Sequence, residues 1–242
     1  MTRALATILF LAVFGIANAA PSDHKKVFFA GGQSNATQPW ADAIQRTLEK
    51  AYGDEVILVH AYHPGNWLKN WYTNTPRENY RADFFNVDGS ATLQRKLREL
   101  ADANVPYEFV GFFWFQGEGD SKSAEAITSY EERFTGMLEQ LKTDLKLPSF
   151  PVAIMLIDGN DKLEFDDPAK LAGRTREDIT RMREALKKLA IHLSGTAVDS
   201  RGYKRRDLWH LLPEEASRLG STAATEFLKI TLSNKSKQDA TQ

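Results

Sequence analysis

Short, unbroken apolar runs alternate along this chain with longer stretches in which apolar residues recur every three or four positions. The runs Lys26–Ala30, Val56–Ala61, Val110–Phe115 and Val152–Ile157, with a weaker one at Thr196–Val198, predict strands. Their apolar residues are consecutive rather than alternating, the pattern of parallel strands covered on both faces. Between them, Trp40–Tyr52 predicts a helix that stops at Gly53, a residue suited to the C′ position. Ser90 is placed to cap a helix carrying Leu93, Leu97 and Leu100, and Ser123 one carrying Ile127, Tyr130, Phe134, Met137, Leu141 and Leu145. Thr175 and Asp178 have capping-box spacing ahead of Ile179, Met182, Leu186, Leu189 and Leu193, and Pro213 suits the first turn of a last helix. This β/α alternation predicts a three-layer α/β/α sandwich around a central, mainly parallel five-stranded sheet.

The ends of the chain fall outside that pattern. Arg3, the apolar run Ala4–Ile16 and the small-x-small triplet Ala17-Asn18-Ala19 read as a secretory signal peptide over residues 1–19. The run is too short for a membrane span, which needs about 20 residues, so the expectation is cleavage and release rather than an anchor. One domain is expected over residues 20–232, followed by a frayed polar tail over 233–242, in a secreted or periplasmic protein. The chain has no cysteine, which removes disulfides, thiolate metal sites, a cysteine nucleophile and a lipidated cysteine. Its 31 Lys and Arg against 32 Asp and Glu leave a formal charge of −1 with no basic stripe, which argues against a nucleic-acid partner. No cofactor is expected, and no metal. His60 and His63 stand three apart on a strand, where side chains alternate faces.

Ligands of parallel α/β sheets sit beyond the carboxyl ends of the strands, and three post-strand segments carry reactive side chains. They are Gly31-Gly32-Gln33-Ser34-Asn35, Gln116-Gly117-Glu118-Gly119-Asp120 and Asp207-Leu208-Trp209-His210. A serine nucleophile needs a base within hydrogen-bond reach, and the base needs an orienting acceptor. Ser34, His210 and Asp207 can fill those roles, since an Asp-x-x-His spacing puts both side chains on one side of a tight turn.

These segments resemble the main motif blocks of SGNH hydrolases of the sialate O-acetylesterase and acetylxylan esterase type. Gly32-Gln33-Ser34-Asn35, Trp114-Phe115-Gln116-Gly117-Glu118-Gly119-Asp120 and Asp207-Leu208-Trp209-His210 occur in the family's order, and the likeness spans Lys26 to about Phe227. The resemblance implies a flavodoxin-like SGNH fold with Ser34 as nucleophile, His210 as base and Asp207 as its orienter. It further implies an oxyanion hole made of the Ser34 amide, Gly65 and the Gln116 side chain. Two positions depart from the family pattern. Phe115 stands where a His usually precedes the Gln, and Pro64 precedes a single Gly65 where a Gly-Gly pair is usual.

Gln33, Asn35, Trp67 and Glu118 flank these groups and are candidates for substrate contact, Glu118 equally for a carboxylate that steadies its loop. The long connection 64–89 carries Trp67, Trp71, Tyr72, Tyr80, Phe84 and Phe85, rings that could wall a pocket. The expected activity is that of a serine esterase removing short acyl groups, above all acetyl, from a small or oligosaccharide carbohydrate ester through an acyl-enzyme. A lysophospholipase or thioesterase of the same superfamily, or a non-catalytic carbohydrate-binding protein on the same scaffold, are the alternatives.

Overall fold

Each predicted apolar run forms a strand. The computed structural model describes residues 24–71, 90–158 and 173–239. The expected signal peptide over residues 1–19 lies outside them. The strands are β1 (Lys25–Gly32), β2 (Val56–Tyr62), β3 (Tyr107–Phe115), β4 (Val152–Leu156) and β5 (Thr196–Asp199). They lie in the order β2-β1-β3-β4-β5, every neighbouring pair parallel. β3 begins earlier than the apolar run because Tyr107, Glu108 and Phe109 pair with Lys25, Lys26 and Val27. The register then shifts between Val27 and Phe28. That irregularity resets the alternation of β3, so that Phe109 and Phe112, three apart, pack into the same layer, both against Phe150.

The helices are α1 (Gln38–Tyr52), α2 (Ser90–Asp102), α3 (Ala124–Thr128), α4 (Tyr130–Leu145), α5 (Arg176–His192) and α6 (Pro213–Asp239). Gly53 ends α1 with φ 75°, and Thr175 with Asp178 makes the reciprocal capping box at the start of α5. Two expectations change. The single helix predicted after Ser123 is two, because the Thr128 and Ser129 hydroxyls donate back to the carbonyls of Ala124 and Glu125 and the backbone breaks at Ser129. Ser123 still caps, accepting from the Ala126 N–H. The polar tail expected from Ser233 is helical as far as Asp239, a continuation of α6.

Side chains alternate from one face of the sheet to the other. Val27, Phe29, Val59, Trp114, Ile154 and Leu156 pack with α2, α3, α4 and α5. Phe28, Ala30, Phe113, Phe115, Ala153 and Met155 pack with α1 and α6. The result is the predicted sandwich, with its strand order reversing between β1 and β3. The crevice at such a reversal is where open parallel sheets bind ligands, and β1 and β3, which flank it, lead into the segments that carry Ser34 and Gln116.

Candidate active site

Ser34 follows β1 on a tight turn. Gly32, at the end of the strand, has φ 150°, and a Cβ there would lie 2.1 Å from the Phe115 carbonyl oxygen, so the close approach of β1 to β3 requires glycine. The Gln33 N–H donates to that same carbonyl (3.0 Å) and the Ala36 N–H to the Gln33 carbonyl (2.9 Å). Ser34 is left half-buried at the apex, its N–H bonded to no other described residue.

His210 stands on a hairpin-like loop closed by the bridge between Arg205 and Leu211. Asp207 Oδ1 accepts from the backbone N–H groups of Trp209 (2.8 Å) and His210 (2.7 Å), an Asx turn that folds the segment onto itself. Asp207 Oδ2 faces His210 Nδ1 at 2.8 Å, and His210 Nε2 faces Ser34 Oγ at 3.1 Å. A carboxylate on Nδ1 places the imidazole proton there and turns the lone pair of Nε2 toward the serine hydroxyl. Partial burial pushes the Asp207 carboxyl up, but the His210 N–H, the His210 ring and the Trp209 N–H outweigh it and hold the group below its ordinary value.

The segment after β3 is buried. Gln116 is 0% exposed, and its Nε2 meets three acceptors, Gln33 Oε1 (3.1 Å), the Asn66 carbonyl (3.0 Å) and Asp120 Oδ2 (2.6 Å), while its Oε1 accepts from the Tyr130 hydroxyl (2.6 Å). The Gln33 carbonyl oxygen Oε1 also accepts from the Gly119 N–H. Glu118 Oε1 accepts from Asn35 Nδ2 (2.7 Å), and Asp120 Oδ2 from the Leu68 N–H (2.8 Å). Burial pushes both carboxyls up, against the pull of Asn35 on Glu118 and of Gln116 on Asp120.

Gly65 lies opposite. Pro64 and Gly65 (φ 72°) are the central residues of a turn closed by the Asn66 N–H donating to the His63 carbonyl (3.3 Å), the arrangement of a type II turn. The His63 N–H ties this turn to the Gly32 carbonyl, and Gln116 ties it to β3 through the Asn66 carbonyl. Gly65 is exposed, and its N–H is bonded to no other described residue. The turn is thus held between the ends of β1 and β3.

The model of the family described as "carbohydrate esterase, sialic acid-specific acetylesterase" matches residues 37–229. The chain belongs to this family of carbohydrate esterases. The fold is similar to that of a protein from Arabidopsis thaliana, at 18% identity and TM-score 0.63, covering 85% of this chain and 98% of that one. It is similar to a carbohydrate acetylesterase from Xanthomonas citri, at 14% and 0.60, covering 84% of this chain and 56% of that one. A third similar structure is a carbohydrate acetylesterase from Sinorhizobium meliloti, at 15% and 0.55, covering 85% of this chain and the whole of that one. At these identities the likeness concerns the fold. No curated protein sequence matches the chain.

Within this carbohydrate esterase, the sequence-predicted Ser34, His210 and Asp207 come together. Ser34 lies just ahead of the matched span, so geometry alone brings it to the base. Gln33 and Asn35, expected to contact substrate, and Glu118, expected either to do so or to steady its loop, are all at most 3% exposed and engaged inside the protein. The Gln116 amide, expected in the oxyanion hole, turns its two protons toward three acceptors within the protein. Trp67 is half-buried beneath Lys69 Nζ, 4.8 Å from its ring centroid. Trp71 packs edge-on against Trp114 in the core, and Tyr72, Tyr80, Phe84 and Phe85 lie outside the described residues. His60 turns to the Ala36 carbonyl and Gln38, whereas His63 turns to the Pro64 carbonyl, so the two do not share a partner.

Sequence reasoning gave no task to Asp120, Tyr130 or Arg174. Two acids alternating with glycine after an apolar strand are a visible signal for the first. Arg174, whose guanidinium donates to the Glu118 carbonyl (2.8 Å) and stacks on Trp209 (4.4 Å), is separated from both in the chain and left no signal.

Proposed function

We propose that the protein is a serine esterase that releases acetate from O-acetylated carbohydrate. The observation that carries this reading is the continuous relay from Asp207 Oδ2 through His210 to Ser34 Oγ. His210 Nε2 takes the Ser34 proton as Oγ bonds to the acetyl carbonyl carbon. The free amides of Ser34 and Gly65 are the donors for the oxyanion. When the tetrahedral intermediate collapses, the bond from the carbonyl carbon to the sugar oxygen breaks, and His210 returns its proton to that oxygen. Water, deprotonated by the same imidazole, then attacks the acetyl-serine; the bond from the carbonyl carbon to Ser34 Oγ breaks, His210 returns the proton to Oγ, and acetate leaves. Membership of the sialic acid-specific acetylesterase family supports a carbohydrate as the alcohol. The leader over residues 1–19 supports export, and no helix among the described residues is long and apolar enough to cross a membrane.

The test is acetate release from a panel of O-acetylated sugars, including acetylated sialic acid, by the protein and by Ser34→Ala. Release by the first and its loss in the second is the expected result. Hydrolysis confined to long-chain acyl esters, or binding of the sugars without release, would overturn the reading.

A further inference from the structure

Asn35 follows the nucleophile directly, yet it is 2% exposed and its side chain is engaged away from the cleft. Its Nδ2 donates to the Trp209 carbonyl (3.0 Å), and its Oδ1 accepts from the Leu211 N–H (3.0 Å). Trp209 and Leu211 are the residues on either side of His210. One side chain therefore grips both peptide units that flank the base, and that side chain is carried by the peptide next to the nucleophile. An amide has a donor end and an acceptor end, so only one of its two flipped orientations satisfies both contacts. Glu118 selects that orientation, because its Oε1 accepts from the same Nδ2 at 2.7 Å and would face an oxygen if the amide turned over. Glu118 reaches the base loop by a second route as well: its own carbonyl accepts from Arg174, whose guanidinium lies on the Trp209 ring.

We propose that Asn35 and Glu118 are positioning residues, a buried clamp that sets the distance and angle between Ser34 Oγ and His210 Nε2. The proposal rests on the reading of Ser34 and His210 as nucleophile and base. Neither clamp residue touches substrate. Their effect falls on kcat and on the reactivity of the serine, with KM left nearly unchanged, since a displacement of about 1 Å in a reacting pair can cost about 100-fold in rate.

The experiment measures kcat, KM and the rate of Ser34 labelling by a fluorophosphonate for Asn35→Ala, Glu118→Ala, Glu118→Gln and the double alanine variant. Each value is taken per folded molecule, the folded fraction being read from a melting curve. Asn35→Ala is expected to lower kcat and the labelling rate together by about 100-fold. Glu118→Ala should fall in the same direction by a smaller factor, and Glu118→Gln should recover most of it, because its Oε1 still accepts from Asn35. The double variant should be no slower than Asn35→Ala alone, as required if Glu118 acts through Asn35. Unchanged kcat and labelling in folded Asn35→Ala, or a loss confined to KM, overturns the clamp. Should Asn35→Ala not fold, equal kcat in Glu118→Ala and Glu118→Gln overturns it instead. Failure of the unmodified protein to label at Ser34 removes the serine mechanism itself, a different outcome from loss of the clamp.

Discussion

A primary amide has two protons to donate, and at Gln116 they are shared among Gln33, Asn66 and Asp120 while the carbonyl end takes the Tyr130 hydroxyl. Removing the side chain takes one hydrogen bond from each of those groups, although Gln33 keeps the Gly119 N–H, Asp120 the Leu68 N–H and Tyr130 the Trp114 indole N–H. Each lost hydrogen bond costs about 0.5–1.5 kcal/mol, so Gln116→Ala should melt below the parent protein. Its kcat per folded molecule should fall far less than the roughly 100- to 1,000-fold that follows loss of an oxyanion donor. Melting and steady-state kinetics on one preparation check both halves, and a large kcat loss at unchanged melting temperature would return Gln116 to the oxyanion hole. The same contrast explains what the sequence reveals about single residues. Ser34, Asp207 and His210, which the structure brings within hydrogen-bond reach of one another, stand out in the sequence because their residue types follow strands and the Asp-x-x-His spacing folds two of them together. Gln33, Asn35 and Glu118 are polar residues in post-strand turns, and whether such a side chain faces the cleft or the interior depends on how the turns nest, which no local pattern encodes.

At the scale of elements, continuous apolar runs and capping residues foretell strands and helices because each is decided within a few neighbouring positions. The early start of β3 and the break between α3 and α4 are less visible. The first depends on pairing with Lys25–Val27, and the second on hydroxyls that bond back to carbonyls one turn earlier. One inter-element tie carries a pH signature. Arg183 of α5 donates to the Ile157 carbonyl after β4 and to Asp199 Oδ1 at the end of β5 (2.8 Å), while Arg201 donates to Asp199 Oδ2. Burial alone would push Asp199 up, but the hydrogen bonds from Arg201 and Arg183 outweigh it and bring the group from 3.8 to about 2. A carboxyl lowered by folding stabilises the native state above its unfolded value and loses that contribution as pH falls through its folded value. The melting temperature should therefore decline as pH drops from 3.8 toward about 2, with a shallower decline in Asp199→Asn. The carboxylate is 38% exposed, so solvent screening keeps the difference modest. Parallel curves for the two proteins would show that the tie contributes nothing.

For the whole molecule, the strand order sets the location of the chemistry. Reversal between β1 and β3 opens one crevice, and the turn after β1 supplies the serine, the turn after β3 the buried brace, and the loop after β5 the base. Glu118 and Asp120 divide the bracing between two loops: Glu118 works through Asn35 on the loop of His210, and Asp120 holds the loop of Gly65 through the Leu68 N–H. The reacting groups thus sit on short turns whose far sides are fixed in the core, the arrangement that lets exposed side chains keep a defined geometry. Whether this geometry makes Ser34 a nucleophile is read by intact-mass analysis after fluorophosphonate treatment. A serine activated by a neighbouring base is labelled where an ordinary hydroxyl is not. One adduct per molecule is expected in the unmodified protein, none in Ser34→Ala and greatly slowed labelling in His210→Ala. An unlabelled folded protein, or an adduct that persists in Ser34→Ala, would contradict it.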